Sequence, residues 1–290
     1  MNIALVIATT GRPKIVAQTL ERLARQSRAP ERLVVVGAAP SDVPAEALSP
    51  QAEFLVAPAR GLPHQRNHAL DHLAGGVDIV VFIDDDYAPA QDFVAGVERL
   101  MREHPDIVAA SGHLIADGIH GPGLSFTQAD ALIDAYERET PRALSLSDET
   151  GTYGCNMAFR LSAAPAARFD ENLPLYAWLE DSDYSAHFAR VGRVVRANAF
   201  CGVHLGVKAG RVPGVRLGYS QIANPLYLVK KGTVTPLFAL KLAAKNVAAN
   251  LAKSLRPEPW IDRRGRLKGN LLALFDALRG RSDPRRILDL

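Results

Sequence analysis

Over the first 112 positions, apolar residues fall in short continuous runs separated by stretches of helical periodicity. IALVIAT (3–9), LVVVG (33–37), EFLVA (53–57), DIVVFID (78–84) and DIVAASG (106–112) have the length and β-branched content of strands buried on both faces. Between them, residues 14–26 place Ile15, Leu20 and Leu23 at core positions of a helix, and 62–73 and 93–102 read as two more. Continuous apolar strands alternating with helices predict an α/β fold with a mainly parallel sheet flanked by helices. Ligands of such sheets gather at the carboxyl ends of the strands. Thr9-Thr10-Gly11-Arg12 and Asp84-Asp85-Asp86 both fall there.

The pattern weakens over 117–152, a long Gly-containing stretch that reads as at least partly loop. It resumes as a strand at GCNMAFR (154–160), a helix over 181–190 and a strand at RVVRANAF (193–200). From about residue 206 the chain turns basic and helical. The expected organisation is therefore a main domain over 1–205, with halves 1–112 and 113–205, and a basic helical extension over 206–290.

Charge sharpens that division. Residues 1–229 carry a formal −6 and residues 230–290 carry +9, so the extension is suited to an anionic partner. Lys241, Lys245 and Lys253 argue against a membrane span in TVTPLFALKLAAKNVAANLAKSL (233–255). Leu240, Ala244, Val247, Leu251 and Leu255 fall on one face of a helix there. Residues 230–268 could then lie on an anionic membrane, or pack the stripe on the rest of the chain or on a second subunit as a homodimer. Two cysteines make no disulfide framework, and the apolar opening reads as a buried strand rather than a leader. Both features point to the cytoplasm or to the inner face of the cell membrane.

Three clusters carry chemistry. In VVFIDDDYAP, alternation sends Asp84 and Asp86 the same way, where two carboxylates can share Mg²⁺ or Mn²⁺. The alternative is a polar turn ending a buried strand. In GLPHQRNHAL, Arg66 lies early in a helix whose N-terminus favours anions, and His64 and His68 are either a metal pair or two solvent-facing side chains. In WLEDSDY, Glu180 and Asp181 are adjacent acids among apolar and aromatic residues. Desolvation and like charge would raise one of them towards a general base, and an exposed acidic helix start is the competing reading.

VIATTGRP, GLPHQRNHAL, VVFIDDDYAP, GCNMAFR with FDENLP, and LEDSDYSAHFARVG occur in an order and spacing that resemble family 2 glycosyltransferases of the GT-A fold, over roughly residues 1–205. The resemblance implies a Rossmann-like sheet, a nucleoside-diphosphate sugar donor and an inverting transfer to a hydroxyl of a glycan or lipid-linked acceptor, as in surface polysaccharide or glycoconjugate synthesis. It implies Thr9, Thr10, Arg12 and Arg66 at the donor, with Asp84 and Asp85 beside them. Asp84 and Asp86 would be the ends of an Asp-x-Asp metal motif, with His204 a further ligand. Asp181 would be the base and Glu180 the acceptor-orienting acid. One departure stands out: many relatives have a base-pairing Asp directly after the second strand, whereas VVVGAAPSD brings Asp42 several residues later.

Two other functions stay open. A sugar-1-phosphate nucleotidyltransferase would share the sheet and the aspartates, but ATTGRPK has a single Gly where that class has a Gly-rich phosphate loop. A non-catalytic nucleotide-sugar binder would share the pocket. Nucleic acid is not expected, because Phe238, Trp260 and Phe275 are too far apart to interleave with the basic residues.

Overall fold

The computed structural model describes residues 1–139, 143–208 and 213–290. Strands β1 (Ile3–Ala8), β2 (Arg32–Gly37), β3 (Ala52–Val56) and β4 (Ile79–Asp84) pair in parallel in the order β3-β2-β1-β4. Helices α1 (Pro13–Leu23) and α2 (Leu62–His72) connect them. Ile3, Leu5, Ile7 and Val81 pack on one face with Val16 and Leu20 of α1, and with α3 (Phe93–Glu103). Ala4, Val6, Val80 and Phe82 pack on the other with Ala69 and Leu70 of α2. Burial on both faces is why these strands read as continuous apolar runs.

The second half departs from parallel pairing. After β5 (Tyr87–Pro89) and β6 (Ile107–Asp117), β7 (Leu146–Asp148) pairs antiparallel with β9 (Arg193–His204). Strand β8 (Asn156–Arg160) inserts antiparallel between β4 and β6, while β6 and β9 are parallel. The result is one mixed nine-stranded sheet.

The stretch 117–152, expected to be at least partly loop, also holds a helix. Helix α4 (Phe126–Arg138) occupies its middle and buries just Phe126, Ala129 and Ile133, too few apolar positions to show as a periodicity. Its start was nonetheless written in the chain: Ser125 accepts from the Gln128 N–H and Gln128 returns to the Ser125 N–H, a reciprocal cap.

Helix α5 (Glu180–Ala189) precedes β9, and α6 (Gly214–Lys231), α7 (Pro236–Lys253) and α8 (Arg263–Leu278) form the C-terminal bundle. Of the stripe Leu240, Ala244, Val247, Leu251 and Leu255, for which the sequence leaves membrane contact and packing both open, only Val247 packs on the bundle. Leu240, Leu251 and Leu255 are 67%, 59% and 83% exposed. The packed face of α7 instead centres on Ala239 and Asn250.

Candidate active site

The aspartate triplet ends β4 and divides by alternation. Asp84 and Asp86 converge with His204, the last residue of β9, because β5 pairs with the end of β9 in the register Tyr87 to His204. His204 Nε2 lies 3.7 Å from Asp86 Oδ1 and 3.9 Å from Asp84 Oδ2. Three hard or borderline ligand atoms within 4.8 Å of one another suit a divalent cation drawn between them. His204 Nδ1 is 2.8 Å from Asp117 Oδ1, and Tyr153 Oη donates to Asp117 Oδ2 at 3.0 Å. With Nδ1 turned to Asp117, Nε2 faces the carboxylates, where a bound cation would take the place of its proton. Burial would raise the Asp86 carboxyl, but His204, Arg12 and the Val207 N–H outweigh it and hold it at about 2. Burial would lower His204, and Asp117 with Asp86 instead lifts it to about 10. Among the described residues, this is the one group with such a ligand set, and no third ligand joins His64 and His68.

Asp85 points the other way and is fully buried. It accepts from Thr9 Oγ1 at 2.6 Å and from Arg12 Nε at 3.0 Å, and its carbonyl accepts from Thr19 Oγ1 at 2.6 Å. Burial, resisted by Arg12, pushes its carboxyl up to about 7. Arg12 also approaches Asp86 at 3.6 Å. Thr10 turns its hydroxyl back to the Thr9 carbonyl at 2.8 Å. Asp42 is buried, and its carboxylate accepts from the backbone N–H groups of Gly11, Ala38 and Ala39 at 2.7–2.9 Å. Its late position in the sequence thus serves to tie the β2 loop to the β1 loop.

The acid pair opens α5. Leu175, Ala177 and Leu179 before it have φ of 59°, 52° and 74°, a run of left-handed residues that only surrounding contacts can hold. The Leu62 N–H donates to the Leu175 carbonyl at 2.9 Å and Asn224 Nδ2 of α6 to the Trp178 carbonyl at 2.8 Å. Arg66, 2% exposed, pairs with Glu180, reaches Asp84 at 3.4 Å and donates to the Gly154 carbonyl at 3.0 Å. Burial is the main cause raising Glu180 to about 8, with Arg66 opposing it. Burial also raises Asp181, against the Ser182 and Gly154 N–H groups that donate to it at 2.7 and 2.9 Å. At Gly154 a Cβ would sit 3.3 Å from Asp181 Oδ2 and 3.4 Å from Glu180 Oε1, so a glycine lets the β8 loop close on both acids.

Sequence reasoning named Arg66, the triplet, the acid pair and His204. It did not name Asp117, Tyr153 or Thr19, whose roles depend on partners 87, 36 and 66 positions away.

Four parallel strands continued into a mixed half-sheet, with an Asp-x-Asp turn after β4, make a mixed α/β fold of the GT-A glycosyltransferase class. The profile described as Glycosyl transferase family 2 matches residues 4–164, and the chain belongs to that family. No curated protein sequence matches it. Among solved structures, the chain is similar to the mannosyltransferase PcManGT from Pyrobaculum calidifontis in complex with GDP-Man and Mn²⁺, with a TM-score of 0.53 and 19% identity over 99% of this chain and 85% of that one. It is similar to S. aureus TarS 1-349 in complex with UDP-GlcNAc, with a TM-score of 0.55 and 14% identity over 99% and 83%. GalNAc-T7 with UDP, GalNAc and Mn²⁺ matches at a TM-score of 0.54 and 12% identity, covering all of this chain and 56% of its own length. At these identities the likeness is one of fold.

Proposed function

We propose that the chain is an inverting, metal-dependent glycosyltransferase that moves a sugar from a nucleoside-diphosphate donor to a hydroxyl of a glycan or lipid-linked acceptor, in the synthesis of surface polysaccharide or another glycoconjugate. The observation that carries this reading is the position of Arg66: one buried guanidinium touches both Asp84 and Glu180, so the candidate metal carboxylates and the acid pair share one site.

Asp84, Asp86 and His204 would hold Mg²⁺ or Mn²⁺, which supplies charge neutralisation at a departing diphosphate. Asp181 takes the proton of the acceptor hydroxyl as that oxygen attacks the anomeric carbon from the face opposite the leaving group. A single displacement inverts the configuration without a covalent enzyme intermediate. Burial of Asp181 favours this role, because a raised carboxylate is a better base. Glu180 keeps Arg66 in place beside it. Arg66 acts through protein groups, orienting Asp84 and stabilising the acid pair, and Arg12 with Thr9 and Thr10 lines the donor side of the strand ends. The relatives of similar fold that carry GDP-Man, UDP-GlcNAc, or UDP and GalNAc support a nucleotide-sugar donor here.

The test is a panel of nucleotide sugars with Mn²⁺, read as donor consumption, followed by the Asp181→Asn variant. Asp181→Asn should lower turnover by about 10²–10⁴-fold and leave donor affinity within a few-fold of the parent. Full turnover in that variant, or no donor consumed by the parent, would reject the reading.

A further inference from the structure

The C-terminal bundle turns most of its large apolar side chains outward. Where α6, α7 and α8 meet, a small apolar centre of Tyr219, Ile222 and Ala273, with Val247 and Leu272 against it, is flanked by contacts between glycines and amide side chains. Asn250 donates to Gln221 and to Asn270, each at 2.9 Å, and Asn270 donates to the Gly218 carbonyl at 2.7 Å. Asn250 and Asn270 are completely buried. A methyl group at Gly218 would run into the Arg266 carbonyl, and one at Gly269 into that of Val215. The outer faces carry the large apolar side chains: Leu237, Leu240, Leu251 and Leu255 on and just beyond α7 are 59–83% exposed, and Leu271, Phe275 and Leu278 of α8 are 49–88% exposed. Close packing through Gly and Asn with Leu outside is the arrangement of helices whose surroundings are lipid, where amides serve as glue and leucine meets acyl chains.

From this we infer that the outer face of α7 and α8 docks in the headgroup layer of an anionic bilayer. No helix of the described residues is long and apolar enough to cross a membrane, so these helices would lie in the plane of the interface. The cations favour lipid over a second copy of the chain. Lys241, Lys245 and Lys268 are exposed among the leucines, and among the described residues no carboxylate pairs with them. A two-fold contact of this face with itself would bring those like charges together, whereas anionic headgroups complement them. Between the end of α7 and α8 runs an open groove of about 570 Å³ with Leu255, Leu267, Leu271 and Phe275 along it and Arg264 and Lys268 at its edge. Such lining suits an acyl chain with an anionic head.

The experiment is flotation of the full chain with vesicles of phosphatidylcholine alone and of equimolar phosphatidylcholine and phosphatidylglycerol, together with its sedimentation behaviour without lipid. Because it reads binding alone, its outcome is independent of sugar transfer. The parent should float with the anionic vesicles, stay behind with the neutral ones and be released by salt. Leu251→Glu with Phe275→Glu should cut binding at least tenfold while leaving Tm unchanged, since both side chains point outward. Replacing Lys241, Lys245 or Lys268 by Gln should each cost about fivefold. A parent that ignores anionic vesicles overturns the inference. So does binding that survives the double substitution, or a dimer without lipid that the same substitution dissociates.

Discussion

Asp117 supplies none of the candidate ligand atoms, yet its replacement should weaken the candidate metal site, because it holds one of the ligand-bearing residues. Its Oδ1 receives His204 Nδ1 at 2.8 Å and the Ile119 N–H at 3.0 Å, and its Oδ2 receives Tyr153 Oη at 3.0 Å. In Asp117→Asn the remaining oxygen can still serve His204 and Ile119, and the amide can donate to Tyr153. That variant removes charge but keeps orientation. Asp117→Ala removes both and frees the imidazole to turn. A hydrogen bond to a charged group contributes about 1.5–3 kcal/mol, which corresponds to roughly 10–100-fold in affinity. Asp117→Ala should therefore lose about 10–100-fold in Mn²⁺ affinity, and Asp117→Asn only several-fold. Titration of free Mn²⁺ by electron paramagnetic resonance measures this without substrate. At saturating Mn²⁺ both variants should regain most of their turnover, because a positioning residue changes the metal requirement more than the chemistry. Parent-like Mn²⁺ affinity in Asp117→Ala would refute the reasoning, and so would lost turnover that excess metal does not restore.

Asp85→Ala should separate the middle aspartate from its neighbours: it leaves Arg12 and Thr9 without their acceptor and should destabilise the fold by about 3 kcal/mol in urea unfolding. The same variant should shift Mn²⁺ affinity far less than Asp86→Ala does, and an equal loss in the two would reassign Asp85 to the metal. Gly218→Ala should force α6 away from the Arg266 carbonyl and lower stability by about 1–3 kcal/mol, and a neutral effect would mean the helices are not in close contact there.

What the chain disclosed depended on how local the cause was. Strands β1, β2 and β4 were legible because each buries both faces, so burial itself wrote the apolar runs, whereas the edge strand β3 is only half-buried. Asp84 ends β4 and Asp86 lies in the turn that follows, and the two still face the same way. Helix α4 was hidden by its narrow buried stripe, although its reciprocal Ser125–Gln128 cap is a signal the sequence holds. The pairing of Asp117 with His204 had no local trace, since it arises only when β6 and β9 lie side by side in register. Arg66 was found as a site residue, but its partners were not. A helix N-terminus explains an arginine facing an anion, whereas this one is buried against Phe82 and Phe169 with protein acceptors on three sides. The stripe on α7 is legible in the sequence and its direction is open there, because amphipathicity alone does not say which face a helix turns inward. Asn246 and Asn250 settle that: they find amide partners only on α6 and α8 and within the helix, so the leucines are left outside.

That outward turn connects the two ends of the molecule. Helix α6 is held on its far side by α8, through Tyr219 donating to Asp276 and the glycine contacts. On its near side it supports the acid pair. Asn224 holds the left-handed run before Glu180, Leu228 packs on Leu173 and Ala177, and Lys231 pairs with Asp170 and with Asp183 of α5 at 2.7 Å each. A residue in left-handed conformation costs about 1–3 kcal/mol, so three at alternate positions within five residues require such a support. The helix that stabilises the strained entry to Asp181 is thus the same helix on which the leucine-faced pair α7 and α8 is mounted. An element needed only for membrane attachment could be joined by a loose linker, and one needed only for stability could keep its leucines inside. Under the proposed function and the inferred lipid contact, coupling of that outer face through α6 to the helix that carries Asp181 would hold the site at a fixed height above a bilayer, the arrangement a lipid-linked acceptor would need.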